Sequence, residues 1–164
     1  MLEIERRISY LEGDKPAVTY EKMQKWSKFY SLYLNDKMAP QTIIAEYPEF
    51  EDLWQDEPGH QYGRPVSFYM EAMEHNVADY WSKINAPVLV IYGEYDWIMS
   101  KQDHQMIVQA MNDKEEGLGT YLEIPKMDHG LNIYESQTAA YTSFSSEYNQ
   151  DLTREVLQWL AKLD

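Results

Sequence analysis

The sequence feature that most limits the possible folds of this chain is an uninterrupted apolar run, Val-Leu-Val-Ile-Tyr, at residues 88–92. Pro87 opens the run and Gly93 closes it, and most of its residues favour extended backbone. A strand that is apolar on both faces is typical of a parallel sheet covered by helices on both sides. Residues 86–93 are therefore predicted to form a buried strand of an α/β fold.

The segments after this run complete a strand–helix–strand–helix pattern. Residues 101–111 are predicted as a helix, 114–119 as a polar turn, 120–125 as a second strand and 145–163 as an amphipathic helix. Such a pattern predicts two parallel strands joined by a right-handed helical crossover. Residues 85–164 are thus predicted to be a βαβα unit.

Residues 1–84 show helical patterns and no convincing strand. Helices are predicted at 3–11, at 19–35 with Thr19 as the N-cap, at 41–57 with a break at Pro48, and at 67–83. The stretch 57–65 is rich in glycine and proline, which predicts a loop. The chain is therefore predicted to be a mostly helical region, 1–84, followed by the βαβα unit.

Two parallel strands make a small sheet, because sheets usually have about four to six strands. The outer parts of two such apolar strands need further cover. We therefore expect the sheet to be extended, either by a segment upstream of Met1 or by strands of another copy of the chain.

An acid and a histidine follow the two predicted strands. Asp96 comes just after the first strand, and His129 just after the second. The carboxyl ends of neighbouring parallel strands meet at one edge of the sheet, where ligands bind in open α/β folds. A carboxylate bonded to the Nδ1–H of an imidazole fixes its tautomer and leaves Nε2 free to act as a base. The pattern therefore predicts an Asp96–His129 pair.

These residues also carry a family resemblance. The stretch PVLVIYGEYDWIM, followed by YLEIPKMDHG, resembles the end of the α/β-hydrolase fold, where one strand leads to the triad acid and the last strand to the histidine. The resemblance implies that Asp96 is the acid and His129 the histidine of a catalytic triad. It also implies that the helical region before Asn85 is a cap or lid.

The sequence departs from this family at the nucleophile. None of its glycines flanks a serine in the G-x-S-x-G pattern, and the chain has no cysteine; the glycines are Gly13, Gly59, Gly63, Gly93, Gly117, Gly119 and Gly130. The resemblance therefore implies the C-terminal part of a serine hydrolase, esterase- or peptidase-like, inactive without an upstream nucleophile. In the intact enzyme the substrate would be a small molecule or a peptide.

A different class of function is also open. The chain is alternatively a non-catalytic interaction or assembly protein built on a hydrolase remnant. Self-association through an exposed sheet edge is compatible with either function. The predicted macromolecular partner is therefore either an upstream hydrolase segment or a second copy of the chain.

Simpler roles exist for each candidate residue. Asp96 is also suited to stabilising a turn after Gly93, and His129 could be an ordinary core or surface histidine. Asp128 is an alternative acid, whereas Glu94 is expected to be exposed. The three remaining histidines, His60, His75 and His104, do not have metal-ligand spacing, so no metal and no cofactor is predicted.

Aromatic and methionine side chains recur in the helical region: Met23, Trp26, Tyr30, Phe68 and Met73. They suit helix packing and also the lining of a substrate pocket. The loop that contains Arg64 is a second candidate for substrate contact.

Charge and length of apolar segments exclude other partners. The chain has 28 acidic and 14 basic residues, for a net charge of −14, which disfavours nucleic acid and anionic membranes. No stretch approaches the roughly 20 apolar residues that span a bilayer. The sequence shows no targeting segment, so no localisation is predicted.

Overall fold

The computed structural model describes residues 1–143 and 147–163. It contains both helices and sheet, including a small parallel sheet. The chain divides into two compact units, Met1–Asn76 and Val77–Asp164, and each is described by itself. The division lies earlier than the boundary near Asn85 that the sequence predicts.

The first unit begins with helix α1, Leu2–Leu11, which packs against helix α2, Pro16–Tyr30. The N-cap of α2 is Lys15 and Pro16 takes the first helical position, so the prediction of Thr19 as N-cap is wrong. Proline suits this position because its fixed φ is already helical and the missing N–H has no partner there. A π-helical turn, Ser31–Asn35, extends α2 to the predicted end.

The next two elements are short and each begins with a proline. Helix α3 spans Pro40–Glu46, and a 3₁₀ turn spans Pro48–Leu53, so the predicted break at Pro48 is confirmed. Around them lies an aromatic core, in which Phe29 is fully buried and contacts the rings of Trp26, Tyr33 and Phe50. The first unit is held together mainly by this cluster.

The predicted loop at 57–65 contains a small hairpin instead. Strands β1, His60–Gln61, and β2, Arg64–Pro65, pair antiparallel, with Tyr62 and Gly63 at the turn. Both turn residues have positive φ, 49° and 73°, as a two-residue hairpin turn of this hand requires. Strands of two residues are too short to show a period, which is why the sequence does not reveal them.

The helix predicted over 67–83 is interrupted. Helix α4 spans Val66–Ala72 and helix α5 spans Val77–Trp81, with residues 73–76 outside both. The interruption coincides with the division between the two units. Helix α5 belongs to the second unit, where it packs against helix α6.

The second unit is built on two parallel strands. Strand β3, Val88–Gly93, pairs with strand β4, Gly119–Ile124, in the register Val88↔Gly119 to Gly93↔Ile124. Helix α6, Lys101–Lys114, connects them and packs on both. The predicted pair of parallel strands with an intervening helix is confirmed.

Two short strands and two helices follow β4 in the part of the chain that the structure describes. Strand β5, Asn132–Ile133, and strand β6, Glu147–Tyr148, pair antiparallel around helix α7, Gln137–Thr142. Helix α8, Asp151–Leu160, packs Leu152 and Val156 against Ile124 and its neighbours. The prediction that this helix starts at Ser145 is wrong, because β6 precedes it; Ser145 itself lies outside the described residues.

Among the described residues, no helix has both the length and the apolar character that crossing a bilayer requires.

Candidate active site

The turn after β3 places Asp96 at the carboxyl end of the sheet. The backbone N–H of Asp96 donates to the carbonyl oxygen of Gly93 at 3.0 Å, which closes a tight turn directly after the strand. The side chain of Asp96 is 96% buried. A carboxylate buried to this extent needs hydrogen-bond donors around both of its oxygens.

Both oxygens of Asp96 have donors, and the two serve different purposes. Oδ1 accepts the backbone N–H of Ile98 at 2.9 Å and of Met99 at 2.8 Å, so it stabilises the turn. Oδ2 lies 2.9 Å from Nδ1 of His129. The turn-stabilising role and the histidine-pairing role, which the sequence left as alternatives, are therefore both fulfilled.

The contact with Asp96 fixes the tautomer of His129. An ionised carboxylate can only accept hydrogen bonds, so Nδ1 of His129 must carry the hydrogen. The lone pair of the neutral ring is then on Nε2. Half of the His129 side chain is open to solvent, while its partner carboxylate is buried. The pair thus combines a fixed base with an accessible ring.

The loop after β4 holds His129 in place through its own backbone. Asp128 N–H donates to the carbonyl of Asn132, and the Asp128 Oδ1 accepts the Asn132 N–H, both at 2.9 Å. Asp128 therefore stabilises its own loop, and the acid that pairs with His129 is Asp96. Lys126 and Leu131 have positive φ, 59° and 64°, where the backbone reverses on either side of His129.

Direct hydrogen bonds join the two loops. Tyr95 N–H donates to the carbonyl of Met127 at 2.9 Å, and Lys126 N–H donates to Oε2 of Glu94 at 2.9 Å. Glu94 is exposed, as expected from the sequence. Its carboxylate nevertheless links the loop that contains Asp96 (the acid loop) to the loop that contains His129 (the histidine loop). Sequence reasoning missed this positioning role, because the partner is a backbone amide that no motif marks.

Two buried side chains also hold the histidine loop in place. Met127 is 1% exposed and packs with Ile124 and Leu152, so the residue two positions before His129 belongs to the core. Asn149, itself buried, donates through Nδ2 to Met127 Sδ at 3.7 Å. These two side chains position the loop, and neither carries a local sequence signal.

An ion pair fixes the start of α6 to β4. Lys101 Nζ lies 2.5 Å from Oε2 of Glu123, and this hydrogen bond lowers the pKa of the Glu123 carboxyl. Asp96 lies between β3 and α6 in the chain, so the ion pair joins the helix that follows the Asp96 turn to the neighbouring strand.

The other three histidines have different environments. His104 packs against the ring of Tyr92, with centroids 5.1 Å apart, and its Nδ1 lies 2.8 Å from the Ser100 carbonyl oxygen. His60 and His75 are exposed. Among the described residues, no group of three or more histidine, aspartate or glutamate side chains is arranged to hold a metal ion.

The aromatic residues of the helical region divide between two environments. Tyr30 is buried in the aromatic core and Trp26 packs against it, whereas Phe68 and Met73 are 46% and 58% exposed. Arg64 lies over the ring of Phe68, 4.8 Å from its centroid. Helix packing therefore accounts for only part of this set.

Comparisons with known proteins do not assign the chain to a family. No family model matches the chain, and no curated protein and no solved structure matches it either. The assignment of a function therefore depends on the residues and their geometry.

Proposed function

We propose that this chain is the C-terminal part of a serine hydrolase of the α/β-hydrolase type, in which Asp96 and His129 are the triad acid and base. The substrate class is an ester or amide, as a small molecule or a peptide. The serine is supplied by a segment outside this sequence, and the chain alone does not hydrolyse substrate.

One observation carries the proposal: a buried carboxylate holds Nδ1 of a half-exposed histidine at the carboxyl ends of two parallel strands. Burial of Asp96 keeps water away from the bond that orients the ring. Exposure of His129 leaves the ring accessible to a reacting group. A histidine with a purely structural role would have no need of this combination.

The chemistry follows from the tautomer. Nε2 of His129 takes the hydroxyl proton of the serine as its oxygen attacks the substrate carbonyl, and returns that proton to the departing alcohol or amine. Water then repeats the same transfers to release the acid. Asp96 stays ionised throughout and stabilises the imidazolium, because its hydrogen bonds are already in place.

The test compares the chain alone with the chain joined to the segment encoded upstream of Met1. We expect the chain alone to be inert towards nitrophenyl esters and a fluorophosphonate probe, and the joined protein to react with both. In the joined protein, Asp96→Asn is expected to lower kcat roughly 10⁴-fold. Asp128→Asn, which removes the neighbouring acid, serves as the matched control and should leave kcat nearly unchanged.

Two results would contradict the proposal. His129-dependent labelling of the chain alone would show that it has its own nucleophile. Turnover of the joined protein that is equally sensitive to Asp128→Asn and Asp96→Asn would show that the Asp96–His129 pair has no special role.

A second candidate, self-assembly, is favoured by the outer edge of β3. Val88 and Glu94 donate to carbonyls at the β4 side, so the backbone groups of Leu89 and Ile91 point the other way. Within the described part of the chain, no strand pairs with that edge. Such an edge is a template for pairing with a further strand.

This candidate predicts a concentration-dependent dimer. Sedimentation should show it, and amide hydrogen exchange at Leu89 and Ile91 should slow as the dimer forms. A chain that remains monomeric at every accessible concentration would exclude self-assembly without affecting the hydrolase proposal.

A further inference from the structure

A cavity of about 450 Å³ lies within the first unit, and its lining includes neither Asp96 nor His129. It is lined by parts of α1, α2, the 3₁₀ turn and the β1–β2 hairpin. A volume of this size suits a small organic ligand rather than a single ion. Its lining combines aromatic rings, carboxylates and unpaired polar atoms.

Two buried polar atoms of this lining have no partner. In the described part of the chain, Trp54 Nε1 and Gln61 Oε1 are the buried side-chain nitrogen and oxygen atoms without a hydrogen bond. Both residues line the cavity, and Gln61 is only 2% exposed. A buried donor or acceptor left unpaired destabilises the folded state, because its lost contact with water is not replaced. Because both residues line one cavity, we infer that a ligand there supplies an N–H donor to Gln61 and an acceptor oxygen to Trp54.

A buried carboxyl group lies in the same lining. Glu5 is 91% buried, and its Oε1 accepts the hydroxyl of Tyr30 at 3.0 Å. Burial raises the pKa of Glu5, and no lysine or arginine is among the groups that act on it. The N-terminal ammonium and the hydroxyl of Tyr62 also act on Glu5, but burial outweighs them, so a cationic group in the cavity would further stabilise the charged carboxylate.

The remaining charges of the lining also favour a cation. Five acidic residues line the cavity with two lysines, Lys22 and Lys25. Both lysines already have carboxylate partners, since Lys22 contacts Glu12 and Asp14, and Lys25 contacts Asp52. An anionic ligand would therefore meet excess negative charge. Among the described residues no group of three or more histidine, aspartate or glutamate side chains could hold a metal ion, and the cavity is large enough for an organic cation.

Aromatic rings complete the lining. Trp26, Trp54 and Tyr62 all contribute to it, and Trp26 is held by stacking on Tyr30 with centroids 5.0 Å apart. The faces of such rings attract organic cations, and tryptophan does so most strongly. The apolar part of a ligand is accommodated by the same rings.

We propose that this cavity binds a small organic ammonium that also carries a hydrogen-bond acceptor oxygen, as amino amides and amino alcohols do. Its ammonium group is held by Glu5 and Gln61, and its oxygen accepts the indole N–H of Trp54. The proposal is independent of hydrolysis, because binding requires only residues of the first unit.

The test is calorimetric titration of the full chain with leucinamide. N-acetyl-leucinamide keeps the side chain and carbonyl but lacks the ammonium, and is expected to bind at least about tenfold more weakly. Leucine adds a carboxylate and should also bind more weakly, because of the acidic lining. The indole N–H signal of Trp54, assigned with Trp54→Phe, should shift on addition of leucinamide.

Isosteric variants locate the binding site. Glu5→Gln and Gln61→Met should each weaken leucinamide binding about tenfold. Glu46→Gln removes the same charge from an exposed position of the same unit and is the matched control, expected to bind as the unmodified chain does. Equal binding of leucinamide and its N-acetyl derivative, or equal effects of Glu5→Gln and Glu46→Gln, would overturn the proposal. The ligand comparison uses the unmodified chain, so the test stands even where a variant fails to fold.

Discussion

The carbonyl of Met127 lies directly against the Cα of Gly93, so closely that a β-carbon at residue 93 would stand 2.3 Å from the Met127 oxygen. Real β-carbons do not approach a carbonyl oxygen to this distance, and backbone atoms cannot swing aside as a side chain can. Gly93 is therefore required by the approach of the histidine loop to the end of β3. The same approach brings His129 within reach of Asp96.

Gly93→Ala is expected to push the histidine loop away from β3. The cost should be roughly 1–3 kcal/mol in the free energy of unfolding, as for other overpacked sites. The contact between Asp96 and His129 should weaken as well, which the imidazole Nδ1–H signal in the proton NMR spectrum would report.

Gly130→Ala is the matched control in the same loop. A β-carbon there would first meet the side-chain amide of Asn132, which can rotate. This variant should lose less stability and keep the Nδ1–H signal. Similar losses for both variants would show that the approach at Gly93 is not what sets the loop.

Asp96→Asn is expected to reverse the tautomer of His129. The amide oxygen can still accept the N–H groups of Ile98 and Met99, so the turn should remain. The amide nitrogen, a donor, would then face Nδ1, which must become an acceptor and leave the hydrogen on Nε2. The nitrogen chemical shifts of the ring distinguish the two tautomers.

The stability cost of Asp96→Asn should be about 1–2 kcal/mol, because a charge-assisted hydrogen bond is replaced by a neutral one. Asp128→Asn should leave the tautomer of His129 as it is. A ring that keeps hydrogen on Nδ1 in the Asp96→Asn variant would contradict the assignment of Asp96 as its acceptor.

The pairing of Asp96 with His129 could be predicted because it depends on strand order alone. Apolar character on both faces identified β3, and the next strand after a helix had to lie parallel beside it. Asp96 and His129 then fall at the same edge. The exact bounds of the strands were not needed for this step.

The supporting contacts could not be predicted in this way. Glu94 receives a backbone N–H from Lys126, and Asn149 contacts the sulfur of Met127, across separations that leave no period in the sequence. The hairpin around Tyr62 and the break after Ala72 depend in the same manner on packing, which overrides local propensity. The sequence therefore indicated the Asp96–His129 contact but not the residues that position it.

Leu152→Ala is expected to loosen helix α8 and the histidine loop together. Leu152 is 6% exposed and shares a cluster with Ile124 and Met127. Its truncation should cost about 2–5 kcal/mol in the free energy of unfolding, measured by urea denaturation. The Nδ1–H of His129 should also exchange faster, because Met127 loses a packing neighbour.

Leu157→Ala tests the same change on the outer side of the same helix. Leu157 is 59% exposed, so its truncation should alter the free energy of unfolding by no more than about 0.5 kcal/mol. If the two variants lose stability equally, the packing of α8 on the β4 end is wrong.

Glu5→Gln is expected to remove part of the pH dependence of stability in the first unit. Burial raises the pKa of Glu5 above its ordinary value of 4.5, so the folded state binds this proton more tightly than the unfolded state. The resulting stabilisation is complete below about the ordinary value and is lost as the pH rises through the folded pKa. Glutamine keeps the acceptor for Tyr30 but has no proton to lose.

The variant should therefore gain stability relative to the unmodified chain as the pH rises from below 4.5 to neutrality. Urea denaturation at several pH values measures the difference, with Glu46→Gln as the control for loss of one exposed negative charge. A constant difference between Glu5→Gln and the unmodified chain across this range would mean that Glu5 is not destabilised by its burial. Its carboxylate would then be satisfied without a ligand, which would also weaken the case for an ammonium in the cavity.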